Sequence, residues 1–179
     1  MFELSCHQLE YMTVSPHIGI LVNIHEEHLD HYKTMEKYVE AKQRIFRNQK
    51  EDDILICNVQ CLPESAICPS TLLKAGVNEP DTELCVAEEP DGTWIHFRDK
   101  AYRIPVDEIR LLGQHNYFDI GVVYGVCSIL GMDDGAFTAG RHMNPCLTGF
   151  SIWVSGTGLN IMMIPYQPSA ILPYRPLRR

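Results

Sequence analysis

The order of apolar and polar positions predicts buried strands that alternate with an amphipathic helix. Residues 17–24 form an almost unbroken apolar run after Pro16, which is typical of a strand buried on both faces of a parallel sheet. Residues 53–58 predict a second strand of this kind. Between them a helix is predicted to begin at Thr34 and to end at residues 48–50, because apolar side chains recur at close to 3.6 residues: Met35, Tyr38, Val39, Ala41, Ile45 and Phe46.

The flanking segments complete an α/β pattern. Residues 2–5 predict the end of a strand and residues 8–12 a helical turn, so the chain opens at a strand-to-helix junction. Residues 66–105 are short apolar pieces separated by turns, with a tight turn at Asp91-Gly92, and predict a small antiparallel excursion. A helix rich in apolar residues then follows residues 113–116. We therefore predict a mostly parallel sheet flanked by helices.

Composition narrows the function classes. The chain has 179 residues, 45% of them apolar, and a formal charge of −8, which exclude a disordered chain and argue against nucleic-acid binding. No apolar run reaches the roughly 20 residues of a membrane span. Since the first residues also lack the pattern of a signal peptide, we expect a cytoplasmic protein with no membrane partner. Seven irregularly spaced cysteines indicate free thiols; Cys57, Cys61 and Cys68 lack the spacing of a zinc knuckle.

Two segments near the N-terminus carry candidate ligands. Glu3 lies where a parallel strand is predicted to end, and Ser5 and Gln8 would face the same crevice; a solvated carboxylate near a terminus is the alternative. Residues 25–31 (HEEHLDH) gather imidazoles and carboxylates directly after the buried strand. They could bind a divalent cation, or zinc through the three histidines, or form a solvated loop.

Two further features are weak when taken singly. Lys42 is a lone lysine in an amphipathic helix, where a solvated charge is the ordinary interpretation. Residues 113–117 (GQHNY) form a glycine-led turn at a predicted helix start, which could face a nucleotide phosphate. Capping of the helix by Asn116 explains the same residues equally well.

Taken in order, these four motifs resemble the central ATP-binding domain of the Mur ligase family, in the branch that adds D-glutamate. The family pattern ELSSFQLE is similar to residues 3–10, and NI-x-EDHLD to residues 23–30. Y-x-x-AK-x-x-I matches residues 38–45, and G-x-HN-x-x-N is similar to residues 113–119. The resemblance covers roughly residues 2–140 and implies a P-loop-type α/β domain, here incomplete.

The resemblance implies a metal site and a modified lysine. Glu3 and His28 match the family's magnesium-site carboxylate and imidazole. Lys42 matches the lysine that is carried as a carbamate and holds a second metal ion. Lys42 and His28 are accordingly the expected catalytic residues, and Glu3, His28 and Lys42 are the expected metal ligands.

The resemblance also implies the substrates. Ser5 and Gln8 match residues that line the muramoyl substrate and the metal site, whereas Asn116, with His115 and Asp119, lies on the ATP side. The expected reaction uses ATP and Mg²⁺ to join UDP-N-acetylmuramoyl-L-alanine and D-glutamate through an acyl phosphate, in peptidoglycan synthesis. A monomer is expected.

The chain also departs from the family pattern. Cys6 and His7 replace Ser and Phe, and Asp119 replaces the last Asn of G-x-HN-x-x-N, which would add repulsion beside a nucleotide. No Gly-x-x-Gly-Lys-Ser/Thr element is present. We therefore expect residues 1–140 to be a truncated central domain, without its first strand and phosphate loop, that is inactive alone. The alternatives are a non-catalytic metal-binding remnant and a small zinc protein that uses His25, His28, His31 and the cysteines.

Residues 141–179 are expected to be translated out of frame and disordered. From residue 142 onward they contain no acidic residue and keep no apolar period. Asn160–Pro165 must be encoded AAY ATH ATG ATG ATH CCN, and codons that start one base earlier accommodate Tyr-Tyr-Asp-Asp-Ser, with which the family's C-terminal domain opens. The same shift makes residues 145–150 compatible with the family's linker motif, Leu-Pro-His-Arg-Leu.

Overall fold

The computed structural model describes residues 2–62, 68–108, 114–142 and 161–164, with side chains for residues 4–62, 68–108 and 117–138. Its strands are β1 Phe2–Glu3, β2 Ile18–Leu21, β3 Ile54–Asn58, β4 Thr71–Val77, β5 Leu84–Glu89, β6 Gly92–Phe97, β7 Lys100–Pro105 and β8 Ile161–Ile164. Its helices are α1 Cys6–Leu9, α2 Leu29–Tyr32, α3 Met35–Arg47, α4 Gln114–Ile129 and α5 Asp134–His142. Short 3₁₀ turns follow β3 and β7, at Val59–Cys61 and Val106–Glu108.

The eight described strands form one sheet in the order β1-β8-β2-β3-β4-β5-β6-β7. The first six pair in parallel, and β6 and β7 continue the sheet as antiparallel strands. This confirms the predicted α/β class. The prediction for residues 66–105 was too broad, because β4 pairs in parallel with β3, with Leu73 opposite Ile56. Only β5 to β7 form the antiparallel part. Gly92, at the predicted turn between β5 and β6, has a φ of 146°.

Side chains of β2 alternate between two helical layers. Ile18, Ile20 and Val22 belong to the apolar core shared with α4, whereas Leu21 packs with Ile45 in a second core on the opposite face. This alternation follows from the two-residue period of a strand. Helices therefore cover both faces of the parallel part, as the apolar runs predict.

Helix α4 runs antiparallel to β5 and close to it. A Cβ atom at Gly121 would overlap Val86, in the middle of β5, and one at Gly125 would lie 3.5 Å from Leu84, at the start of that strand. The first turn of α4 therefore lies at the carboxyl-end edge of the parallel strands. Within the described ranges, no helix is both long and apolar enough to cross a bilayer.

Strand β8 lies between β1 and β2, so β1 and β2 are not neighbours. Met163 pairs with Glu3 on one side and with Ile20 on the other. β8 comes from the segment that we expected to be disordered, and four consecutive apolar residues there suit a buried strand. The reading frame of residues 141–179 remains a prediction.

Candidate functional site

The candidate site lies at the edge of the sheet where the parallel strands end. In sheets of this kind, ligands bind outside the carboxyl ends of the strands. The loop after β2 carries Asn23 and His28 to this edge, and α3 brings Lys42 against the same loop. Two predicted site residues that are distant in the sequence, His28 and Lys42, thus lie in one neighbourhood.

Lys42 is buried, which the ordinary interpretation of a solvated lysine does not predict. Only 5% of the residue is exposed, and its Nζ donates a hydrogen bond of 3.0 Å to the Asn23 carbonyl. The ammonium also lies 5.0 Å from the centre of the Tyr38 ring, within cation–π range. The helical period of the sequence indicates this burial, because Lys42 follows Tyr38 by four residues and precedes Ile45 by three.

Burial makes Lys42 less basic. Desolvation lowers the pKa of Lys42 below the ordinary lysine value, and Cys6, Glu27 and Cys61 only partly oppose that shift. A lowered pKa raises the fraction of neutral amine, which is the form that acts as a nucleophile. The environment therefore favours covalent chemistry at this nitrogen, carbamate formation included.

His28 lies near the same aromatic ring as Lys42. Its imidazole centre is 6.4 Å from that of Tyr38, and its Nε2 is 4.0 Å from a carboxylate oxygen of Glu27. The backbone of His28 has a φ of 56°, in the left-handed region that few residues other than glycine adopt. His28 directly precedes the first residue of α2.

Glu3 lies on the same edge but farther along the sheet. It pairs with Met163 of β8, and Met163 pairs with Ile20 of β2. The Glu3 backbone is thus two strand spacings, about 10 Å, from β2. The Glu3 side chain lies outside the described residues, so its expected part in a metal site stays a prediction.

Ser5 and Gln8 form a capping box at the start of α1. The Ser5 Oγ accepts from the Gln8 backbone N–H at 3.3 Å, and the Gln8 side-chain oxygen accepts from the Ser5 backbone N–H at 2.9 Å. Both residues are exposed. The structure thus assigns them a local role in starting the helix. Their expected contact with a substrate remains a prediction.

The first turn of α4 carries the residues expected on the ATP side. His115 and Asn116 lie in this turn, and their side chains are outside the described residues. Asp119 is half-buried, and burial raises the pKa of its carboxyl to about 7. A carboxyl that is partly protonated near neutral pH repels a nucleotide less than the expected full charge. The turn lies three strand spacings from β2, about 14 Å along the same edge.

The sequence motifs missed a cluster of imidazoles beside this site. The His7 ring centre is 4.9 Å from that of His28 and 4.7 Å from that of His31. His7 entered the sequence analysis only as a departure from the family pattern. In the described part of the chain, two groupings could hold a metal ion, Cys6–His7–His28 and His7–Glu10–His31. Neither includes His25 or the cysteines near residue 60, contrary to the ligand set of a small zinc protein.

The fold and the site define an α/β domain with a ligand-binding edge at the ends of its parallel strands. Comparison with known families then identifies the family to which this domain belongs. The family described as Mur ligase middle domain matches residues 1–127, and the chain belongs to this family.

Curated relatives agree with this assignment. The chain is 32% identical over 136 residues to a UDP-N-acetylmuramoylalanine–D-glutamate ligase of Symbiobacterium thermophilum, which covers 73% of this chain and 30% of that protein. It is 33% identical over 135 residues to the enzyme of the same name from Staphylococcus aureus strain Newman, which covers 73% of this chain and 28% of the relative. The chain thus spans less than a third of the length of these relatives.

Solved structures show the same fold. MurF from Acinetobacter baumannii superposes with a TM-score of 0.57 at 15% identity, over 79% of this chain and 32% of that one. MurF ligase from Thermotoga maritima, solved in complex with ADP, gives a TM-score of 0.53 at 17% identity, over 66% of this chain and 29% of that one. At such identities the likeness supports the architecture alone.

Proposed function

We propose that this chain is the middle-domain portion of an ATP-dependent ligase that joins D-glutamate to UDP-N-acetylmuramoyl-L-alanine in peptidoglycan synthesis. The observation that carries the proposal is Lys42, a buried lysine of lowered pKa beside His28 at the ligand-binding edge. A lysine held in this way is poorly explained by stability, because burying an amine is costly. The names of the curated relatives support the choice of substrates.

In this proposal Lys42 reacts with carbon dioxide. The neutral Nζ attacks the carbon atom, an N–C bond forms, and the nitrogen loses a proton to leave a carbamate anion. The lowered pKa of Lys42 supplies the neutral amine. The product replaces an ammonium, which cannot bind a cation, with two oxygen ligands.

The residues at the edge fit a magnesium site once Lys42 is a carbamate. His28 contributes an imidazole, the Lys42 carbamate an oxygen, and Glu3 a carboxylate at the end of β1. Mg²⁺, when bound, offsets the negative charge of the phosphoryl group. The unmodified Lys42 would oppose a cation here, so modification and metal binding depend on each other.

The expected reaction has two steps. The γ-phosphoryl group of ATP passes to the carboxylate of the muramoyl-alanine nucleotide, which gives an acyl phosphate and ADP. The amine of D-glutamate then attacks the acyl carbon, an amide bond forms, and phosphate and a proton leave. The N–H groups at the start of a helix such as α4 suit a phosphate, and partial protonation of Asp119 reduces a source of repulsion there. The reaction would take place in the cytoplasm, with the protein as a monomer.

We further propose that the chain by itself does not turn over, because it contains no Gly-x-x-Gly-Lys-Ser/Thr element to hold the phosphates. The second candidate function is a non-catalytic module that binds metal, which the grouping of His7, His28 and His31 favours. An ATP hydrolysis assay on the full chain, with and without Mg²⁺, tests whether the chain turns over by itself. We expect hydrolysis at the level of a blank, and magnesium-dependent turnover would contradict this part of the proposal.

The carbamate can be detected directly. The full chain is incubated with ¹³C-bicarbonate and examined by ¹³C NMR for a carbamate resonance. We expect one resonance in the parent chain and none in Lys42→Met, which keeps the length of the side chain without its amine. Lys37→Met is the matched control, because Lys37 is exposed on the same helix and its loss should leave the signal unchanged. A resonance that persists in Lys42→Met would refute the assignment.

A further inference from the structure

Three imidazoles meet at one point beside the candidate site, and they come from separate elements. His7 lies on α1, His28 precedes α2, and His31 lies within α2. Both short helices pack against α3, which holds these side chains in a single cluster. Imidazoles gathered in this way repel one another when protonated, so a bound cation that keeps them neutral would stabilise the arrangement.

A carboxylate completes one set of ligands. One ligand atom each from His7, Glu10 and His31 lies within 4.8 Å of the others. The His31 Nε2 is already 2.9 Å from a Glu10 carboxylate oxygen. His7 and Glu10 are three residues apart, so they project from the same side of the α1 segment.

The spacing of the rings is that of a transition-metal site. A tetrahedral ion with nitrogen ligands at about 2.0–2.1 Å places ligand atoms about 3.3 Å apart and imidazole centres about 5 Å apart. The observed ring separation of 4.7 Å between His7 and His31 is close to this value. The ligand atoms, which lie within 4.8 Å of one another, would approach to about 3.3 Å around a bound ion.

We propose that His7, Glu10 and His31 bind a zinc-type divalent ion with three protein ligands. Imidazole nitrogen with one carboxylate suits Zn²⁺, whereas Mg²⁺ prefers an all-oxygen set with several waters. The site is distinct from the expected magnesium site, which uses none of these three residues. It also explains why the replacement of the family's Phe by His7 is chemically significant.

A cavity of about 360 Å³ borders two of the three proposed ligands, Glu10 and His31. Lys33, Lys37 and Arg44 line this cavity together with Glu40. The net positive charge of the lining opposes a bare dication and favours an anionic group, such as hydroxide, as the fourth ligand of the bound ion.

The alternative grouping, Cys6–His7–His28, is less suited to an ion that arrives from solvent. Cys6 is buried at 4% exposure, whereas the His31 and Glu10 side chains are 45% and 34% exposed. The two groupings share His7, so a variant at this residue tests both. They are distinguished by the Cys6 thiol, which belongs to only one of them.

The experiment is calorimetric titration of the full chain, freed of metal with EDTA and then dialysed, with zinc chloride. We expect one ion per chain. Removal of a direct ligand, in His7→Phe or His31→Ala, should weaken binding by more than about 100-fold, since even loss of an outer partner costs roughly 10–100-fold. His96→Gln, at an exposed histidine on β6 that stacks on Trp94, is the matched control and should bind like the parent.

Cobalt(II) reports the ligand set through its visible absorption. We expect the intense bands of a tetrahedral ion without a thiolate charge-transfer band, and an unchanged spectrum in Cys6→Ala. A charge-transfer band that disappears in Cys6→Ala would overturn the assignment in favour of the other grouping. Absence of zinc binding, or binding unaffected by both His7→Phe and His31→Ala, would overturn the site itself.

Three controls keep the result interpretable. Glu10→Gln preserves the shape of the side chain and its capacity to bond His31, so weaker zinc binding in this variant reflects the lost charge. Circular dichroism melts in EDTA establish that each variant is folded. Lys42→Met should bind zinc like the parent, which separates this site from the proposed carbamate.

Discussion

Asp119→Asn should stabilise the protein, and more so as the pH rises. Asp119 is the one carboxyl of the described residues whose pKa is raised to about 7, and burial is the cause. Since the unfolded chain ionises near the ordinary value of 3.8, folding holds a proton that the unfolded state has released. A raised carboxyl pKa therefore leaves the free energy of unfolding unchanged well below pH 3.8. It lowers this free energy progressively as the pH rises toward 7, and by a constant amount above pH 7.

The magnitude follows from the size of the shift. About three pH units correspond to about 4 kcal/mol at 1.36 kcal/mol per unit, and water around this half-buried side chain reduces that ceiling to about 2 kcal/mol. The free energy of unfolding of Asp119→Asn should exceed that of the parent by about 0.8 kcal/mol at pH 5 and by about 2 kcal/mol at pH 8. The corresponding rise in Tm at pH 8 is about 4–8 °C.

Urea denaturation at pH 5 and pH 8, with matched salt, measures the difference in the free energy of unfolding between variant and parent at each pH. Asp107→Asn is the control, because Asp107 is exposed and its substitution should change stability by less than about 0.5 kcal/mol at either pH. A gap of equal size at the two pH values would refute burial as the cause. A variant that is less stable at pH 8 would show that the carboxylate is stabilised by a partner.

Three further predictions concern the packing of the fold. Gly121→Ala should destabilise the protein by about 1–3 kcal/mol in urea melts, because its Cβ would overlap Val86, whereas Gly125→Ala should be neutral or stabilising. Met163→Pro should lower the free energy of unfolding by about 3 kcal/mol or more, since proline removes a donor from a strand inside the sheet; an unchanged Tm would exclude β8 from the fold. Burial raises the pKa of the Cys57 thiol to about 12, so iodoacetamide at pH 8 should label it only after denaturation, as mass spectrometry would show.

Much of the fold follows from local patterns in the sequence. The apolar runs predict β2 and β3, and α3 begins after Thr34, whose Oγ1 accepts from the Lys37 backbone N–H at 3.4 Å. The turn at Asp91-Gly92 is confirmed because a φ of 146° demands glycine. These elements share a cause, since each is specified by neighbours a few residues away.

The pairing of the strands was harder to predict from the sequence, because it depends on contacts between distant residues. Nothing in the local pattern of residues 71–77 distinguishes a parallel partner from an antiparallel one, and β4 was therefore assigned to the wrong kind of sheet. The position of β8 between β1 and β2 is likewise a long-range contact. Four apolar residues predict a strand, but not its place in a sheet.

The candidate site, too, could be predicted from the sequence only in part. Family motifs led to Lys42 and His28, which the structure brings close to the ring of Tyr38. The motifs could not lead to His7, because it lies in the motif at a position where the family has a different residue. His7 acquires a possible function only when the packing of α1 and α2 on α3 places it beside His31.

The geometry of the proposed magnesium site depends on β8. The Glu3 backbone is held two strand spacings from β2 through the register of two pairings, Glu3 with Met163 and Met163 with Ile20. Lys42 and His28 are instead fixed by α3 and the loop after β2, which do not involve β8. Loss of β8 should therefore detach the carboxylate from the site while leaving the carbamate and the zinc cluster in place. Magnesium affinity and zinc affinity should then respond differently to the same Met163→Pro substitution, and this difference distinguishes a displaced ligand from a general loss of structure.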